Sequence, residues 1–391
     1  MKHTARNAQP APIDAERLAR IFVDLCECES PSRREAKVAG LIAKIFRDLG
    51  ADEIIEDRSQ ERTGSDTGNL LVRFQGALQA PPLFFTCHMD TVSPAEGVMV
   101  RSQGDIFKSD GDTVLGGDDK SGIAACVEAV RALKAAGVPH RPVEFVFTVC
   151  EEVGLLGAKA FDTGLLSARE GYALDGAGTG ELIVRAPALN QLKVRVSGLA
   201  AHAGLHPEWG VNAIMLAAQA LSNMPCGRID DESTVNFGLI RGGTAGNIVP
   251  DTVTIEGEVR SHSPQKLAQL TQAITDRFVN TARHWTDPSG EARGKPRIEV
   301  KVEEDFPIMA LAEDSPVVRR LDAAAADLGL RFAHKAGGGG SDANIFNGRG
   351  LSVAVVATGM TNIHATNEQI RLEDMADLAR LIAALLTQTD S

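Results

Sequence analysis

The stretch V-E-F-V-F-T-V-C-E-E-V-G-L-L-G, residues 143–157, decides how the rest of the chain is read. Val143, Phe145, Phe147 and Val149 are β-branched or aromatic, and Val146 keeps the other face apolar. A strand apolar on both faces belongs inside a sheet that helices cover on each side. Glu151 and Glu152 arrive where that strand runs out. In open α/β sheets, ligands sit beyond the carboxyl ends of strands. An isolated pair of glutamates there reads as a solvated acidic turn, or as two groups that divide labour, one binding metal and one handling protons. The residues at the ends of the other apolar strands decide between these readings.

Outward from this strand the same pattern recurs. Pro82–Cys87 is a short apolar strand that ends in His88-Met89-Asp90. The carboxylate of Asp90 can orient the imidazole or support it behind a metal. Gly171–Leu174 ends in Asp175-Gly176, and Leu351–Val356 leads through Thr358-Gly359 to Asn362-Ile363-His364. A turn-rich loop, D-G-D-T-V-L-G-G-D-D-K-S-G at 110–122, carries Asp118 and Asp119. It feeds a helix predicted over Ala124–Ala136, with Ile123, Val127, Val130 and Leu133 as the buried stripe. Each signal alone is compatible with a capped or solvated turn. Four apolar strands that end in His88, Glu151-Glu152, Asp175 and His364 point to a shared metal site at one sheet edge.

The candidate ligands are His88, Asp118, Glu152, Asp175 and His364. Two imidazoles and three carboxylates without a thiolate suit zinc, cobalt or manganese better than a structural cysteine site. Five ligands are too many for one tetrahedral ion with an open position, but they fit two ions if one carboxylate bridges. Paired ions clamp the attacking and polarised oxygens of a hydrolytic displacement. Glu151 is then spare and placed to act as general base.

The chain of 391 residues is long enough for two domains, and 43% hydrophobic with 24% charged residues describes a globular protein. A net charge of −12 argues against nucleic acid or an anionic membrane as partner. The first residues, M-K-H-T-A-R-N-A-Q-P-A-P, hold no apolar signal region, and no run approaches a membrane span. Six scattered cysteines read as reduced thiols, so the expected compartment is cytoplasmic. Residues 13–50 read as two helices, the second capped by Ser32 and stopped at Gly50. Short strands come next at Glu53–Glu56 and Asn69–Phe74, and a final helix at Leu372–Leu386. Between the two halves, strands at Gln191–Val196, Thr234–Ile240, Thr252–Arg260 and Arg297–Val302 alternate with helices at Asn212–Ser222 and Pro264–Arg283. That β-α-β-β-α-β order is ferredoxin-like. The expected fold is therefore α/β, a mixed and mainly parallel sheet with helices on both faces. Residues 1–188 and 304–391 would form this catalytic domain, with an α+β domain inserted at 189–303 and hinges near Pro187 and Pro307.

The motifs C-H-M-D-T-V (87–92), G-G-D-D-K-S-G (116–122), C-E-E-V-G (150–154), A-L-D-G (173–176) and N-I-H-A-T-N-E (362–368) extend over nearly the whole chain. With A-H-A-G-L-H-P-E-W-G-V-N-A (201–213) and G-N-I-V-P (246–250), they resemble the dinuclear zinc metallopeptidases of metallopeptidase family twenty. That family includes peptidase T, carboxypeptidase G2 and the aminoacylases. L-G-G-D-D-K-S-G and the Asp at 175 look most like the peptidase T branch.

The resemblance implies roles. Asp118 would bridge two ions, most simply zinc, with His88 and Asp175 on one and Glu152 and His364 on the other. Asp90 would support His88, and Glu151 would carry the proton from water to the leaving amine. His202 would stabilise the oxyanion, often from the partner subunit of a homodimer formed through the inserted domain. Asn247 and Arg260 match positions that contact substrate, although Arg260 reads equally as a structural strand residue. Gly340 lies in a G-G-[ST]-D loop at Gly337–Asp342 that offers backbone N–H groups or is simply a turn. The expected activity is release of a residue from short peptides. An N-acyl or N-carbamoyl amino acid amidohydrolase and a catalytically inactive peptide-binding protein are the alternatives.

Overall fold

The computed structural model describes residues 12–222, 224–287, 289–290, 292 and 295–389. The N-terminal stretch inspected for a signal segment lies mostly outside this range. The chain divides into two compact units. The first takes the chain up to Arg185, Met309–Gly337 and everything from Ser341; the second takes Ala186–Ile308 and Gly338–Gly340.

In the first unit a nine-stranded sheet is built around Val143–Thr148, every residue of which is buried. This strand runs parallel to Leu83–His88, which runs parallel to Glu170–Ala177, which in turn runs parallel to Ser352–Met360. The pairings His88 with Thr148 and Phe85 with Tyr172 bring the carboxyl ends of these strands to one edge. Leu70–Phe74 and Glu53–Glu56 extend the sheet antiparallel on one side. Strand alternation sends successive side chains to opposite faces. Phe85 and Phe145 stack together on one face, where Phe46 of the helix Ala36–Asp48 meets Phe145 and Phe147. Phe84 points the other way and meets Phe346 of the helix Asp342–Gly348 edge-on. Each such ring contributes about 2–3 kcal/mol by leaving water. Helices thus cover both faces, as the doubly apolar strand requires.

The helix after the Asp-rich loop runs over Gly117–Ala136, several residues earlier than the sequence suggests. Asp118 and Asp119 keep non-helical angles within its first turn. Ser32 does not cap the second helix: that helix begins at Ala36 after Glu35, and the Ser32 hydroxyl donates to Asp90 at 2.7 Å instead.

The second unit carries an antiparallel sheet in the order Gly227–Arg228, Ser233–Gly242, Thr252–Ser261, Ala188–Ser197, Arg297–Phe306. Apart from the two-residue first strand, this is the ferredoxin-like order. The helices Ala213–Leu221 and Pro264–Arg283 pack on it around Val194, Ile255, Ile274 and Phe278.

Candidate metal centre

The edge formed by the four parallel strands gathers the predicted ligands of the first unit. Three overlapping groups have ligand atoms within 4.8 Å of one another: His88, Asp118 and Asp175; His88, Glu151 and Glu152; Asp118, Glu152 and His364. Asp118 faces two imidazoles with its two oxygens. Oδ1 lies 3.0 Å from His88 Nε2, and Oδ2 lies 3.2 Å from His364 Nε2. Asp175 Oδ1 is 3.8 Å from His88 Nε2, and Glu152 Oε2 is 3.1 Å from His364 Nε2. Cys150 and His364 hold positive φ angles of 54° and 62°, a sparsely populated region that often marks working sites.

The electrostatics arise from that crowding. Burial opposes charge on His88, but Asp118 and Asp90 outweigh it and hold the imidazole well above its ordinary value. Hydrogen bonding to Asp118 and Glu152 lifts His364 to about 10. Burial and the neighbouring Asp118 push Asp175 up, and burial together with Asp175 pushes Glu151 up. Four carboxylates around two imidazoles leave the cluster short of positive charge. Glu152 Oε1 is buried and has no hydrogen-bond partner among the described residues. Oxygen and nitrogen donors, an orphaned buried carboxylate oxygen and this charge imbalance together fit two divalent cations.

The surroundings set the donor atoms. His88 Nδ1 lies 2.8 Å from the Asp90 carbonyl, which can only accept, so Nδ1 carries a proton and Nε2 is the nitrogen turned to the cluster, the one that would ligate an ion on giving up its own proton. The Asp90 carboxylate accepts from the N–H of Glu151 at 2.9 Å and of Glu152 at 3.2 Å. Asp90 therefore fixes the glutamate turn as well as the histidine. Sequence reasoning gave no role to several other buried carboxylates. Glu35 accepts the Cys150 N–H at 3.0 Å and the Ser65 hydroxyl at 2.5 Å. Asp119 accepts the His88 N–H at 3.3 Å, and Asp342 accepts the Thr148 hydroxyl at 2.5 Å. Asp342 and Glu368 sit in the G-G-[ST]-D and N-I-H-A-T-N-E motifs, whereas nothing local in sequence marks Glu35.

The profile of peptidase family M20/M25/M40 matches residues 84–388. The chain belongs to this family. It is 38% identical to the uncharacterized protein YqjE of Bacillus subtilis over 377 residues, 96% of this chain and 99% of that one. A peptidase T of Exiguobacterium is 28% identical over 286 residues, 72% of this chain and 66% of that one. Among solved structures, aminopeptidase PepT of Bacillus cereus superposes with TM-score 0.87 at 39% identity, covering 96% and 98% of the two chains. A tripeptidase of Staphylococcus aureus superposes with TM-score 0.88 at 34% identity, covering the same shares.

The remaining site residues expected from sequence, His202, Asn247, Arg260 and Gly340, belong to the second unit. His202 Nδ1 accepts the N–H groups of Gly204 and Leu205, both at 3.2 Å, which puts the imidazole proton on Nε2. Asn247 accepts the Ala203 N–H through its carbonyl at 3.0 Å. Arg260 is forked against Glu258, Nε to Oε1 at 2.9 Å and Nη2 to Oε2 at 3.2 Å. A β-carbon on Gly340 would stand 2.3 Å from the Phe306 ring, so only glycine fits there.

Proposed function

We propose that this chain is a metal-dependent exopeptidase of the peptidase T type that removes a residue from tripeptides and similarly short peptides. The observation that carries this reading is the division of Asp118 between His88 and His364, with Glu151 beside Glu152 in the same cluster. The full-length likeness to an aminopeptidase and a tripeptidase supports it.

Two divalent ions, zinc first and cobalt or manganese as substitutes, would polarise the scissile carbonyl and ease ionisation of water when bound. His88 and Asp175 are assigned to one ion, Glu152 and His364 to the other, and Asp118 to both. Asp90 holds the Nδ1-protonated tautomer of His88 and the backbone of both glutamates. Glu151 takes the proton of the attacking water on a carboxylate oxygen and returns it to the leaving amine nitrogen. Burial beside Asp175 makes Glu151 a stronger base than an exposed glutamate, which suits that task. His202, protonated on Nε2, donates to the oxygen that gains charge in the tetrahedral intermediate.

The Arg260 fork receives the peptide carboxylate in place of Glu258. Asn247 and the N–H groups about Gly340 contact the peptide backbone. The second unit is assigned a lid and homodimerisation role. Support comes from the exposed apolar side chains Ile214 and Met215 on the helix Ala213–Leu221, Ile240 in the strand Ser233–Gly242, and Ile248. Among the described residues no helix is long and apolar enough to cross a membrane. All six cysteines are free thiols, which supports a reducing, cytoplasmic compartment.

A panel of tripeptides, dipeptides and N-acetyl amino acids offered to metal-loaded protein tests this reading. Release of the N-terminal residue from tripeptides is expected. Cleavage of N-acetyl amino acids alone would transfer the site to amidohydrolysis, and inertness towards all of them would leave a binding protein.

A further inference from the structure

Glu368 is a buried carboxylate with no part in the proposed chemistry. It lies four residues beyond His364, at the end of a loop that closes on itself. Its own N–H donates to the Ala365 carbonyl at 2.9 Å, and Thr361 and Gln369 exchange backbone hydrogen bonds. Only 2% of the residue is exposed, although it carries a formal charge. Its side chain reaches across about 250 residues of sequence to the loop before Asp118. Oε2 accepts the N–H of Leu115 at 3.0 Å and of Gly116 at 2.8 Å, and Oε1 accepts the N–H of Asp118 itself at 3.0 Å.

The site is shaped for this contact. A β-carbon on Gly117 would lie 3.0 Å from Glu368 Oε1, so a larger residue there presses the carboxylate aside by a few tenths of an ångström. The first N–H groups of a helix have no partner within the helix and attract negative charge. A serine or aspartate usually caps them locally. Here Gly116 is left-handed with no side-chain cap, Asp118 and Asp119 keep non-helical angles, and Glu368 supplies from a distance the acceptor for the N–H groups on both sides of Gly117.

We propose that Glu368 is the positioning residue of the dinuclear centre. Its carboxylate clamps the Asp118 backbone to the loop that carries His364, so that one group sets the shared ligand and a ligand of one ion together. This inference rests on the metal reading of Asp118 and His364. A supporting group behind metal ligands is commonly worth about 10–100-fold in metal affinity. Loss of Glu368 reaches both ions through Asp118, and it reaches the ion of Glu152 and His364 twice.

The test is titration of the full chain with cobalt(II), monitored by its ligand-field absorption, in wild type, Glu368→Gln and Gly117→Ala. Glutamine keeps the size of the side chain but turns an NH₂ towards at least one backbone N–H. Glu368→Gln is expected to bind cobalt about 10–100-fold more weakly, with the larger loss at one of two steps. Gly117→Ala, which presses on the same carboxylate, is expected to weaken binding in the same direction. A lower melting temperature with wild-type cobalt affinity at both steps would make Glu368 a helix cap only and overturn the proposal. If Glu368→Gln does not fold, Gly117→Ala decides, and wild-type affinity there overturns the proposal equally. Failure of the wild type to take up cobalt would refute the metal reading itself, a different result from wild-type uptake that the substitutions leave unchanged.

Discussion

Replacing Asp342 by asparagine isolates a cost that the site carries before any ligand binds. Asp342 Oδ1 is buried without a hydrogen-bond partner, and Oδ2 accepts the Thr148 hydroxyl. Burial pushes the carboxyl from an ordinary 3.8 to about 6, against the pull of that hydroxyl. Between those values the native state keeps a proton that the unfolded state has released. Stability therefore falls as pH rises through this window, and the full cost persists above it. A shift of about two units corresponds to about 3 kcal/mol. Asparagine keeps an oxygen for Thr148 and never ionises. In metal-free protein at pH 8, Asp342→Asn should stabilise the first unit by about 3 kcal/mol, a rise in melting temperature of about 6 °C for a unit of this size. At pH 4 the two proteins should melt together. Scanning calorimetry at both pH values reads the difference. Equal melting temperatures at pH 8, or a gain of the same size at pH 4, would refute the reasoning. The substitution also removes a negative neighbour that raises Glu151, so the acid limb of the activity profile should move to lower pH.

Glu151→Gln should lower kcat by about 10²–10⁴-fold while both ions stay bound, measured by steady-state kinetics and elemental analysis on one preparation. His202→Ala should lower kcat by about 10²–10³-fold without loss of metal, and unchanged kinetics would remove it from the reaction. Glu258→Gln frees the Arg260 fork and should lower KM for peptides with a free terminal carboxylate by about 3–10-fold, but not for their amides. An equal effect on both substrates would mean that Arg260 does not read the carboxylate.

The strands and the candidate ligands are legible in the sequence because both signals are local. Val143–Thr148 is apolar on both faces, and a histidine or carboxylate stands at or close beyond the carboxyl end of each of the four parallel strands. The ferredoxin-like order of the second unit is likewise carried by alternation and turn spacing. The features that sequence does not reveal are tertiary. Asp118 and Asp119 keep non-helical angles in the Gly-Gly-Asp-Asp run, and the carboxylate of Glu368, far along the chain, accepts the N–H groups of Gly116 and Asp118 there. Ser32 has the composition of a helix cap, yet its hydroxyl goes to Asp90, a partner 58 residues away. Glu35 and Asp119 accept backbone N–H groups in the interior, a role without a local pattern. Arg260 reads in sequence evenly as substrate binder or structural residue, and its fork against Glu258, two residues back on the same strand, is a contact the sequence reading does not anticipate.

The most direct measurement is metal content per chain on protein purified without chelator, taken with tripeptide hydrolysis before and after chelation. About two ions, turnover with release of the N-terminal residue, loss of turnover on chelation and its return with zinc, cobalt or manganese are the expected results. Full turnover by metal-free protein would contradict the account, as would a failure to bind metal under any of these conditions.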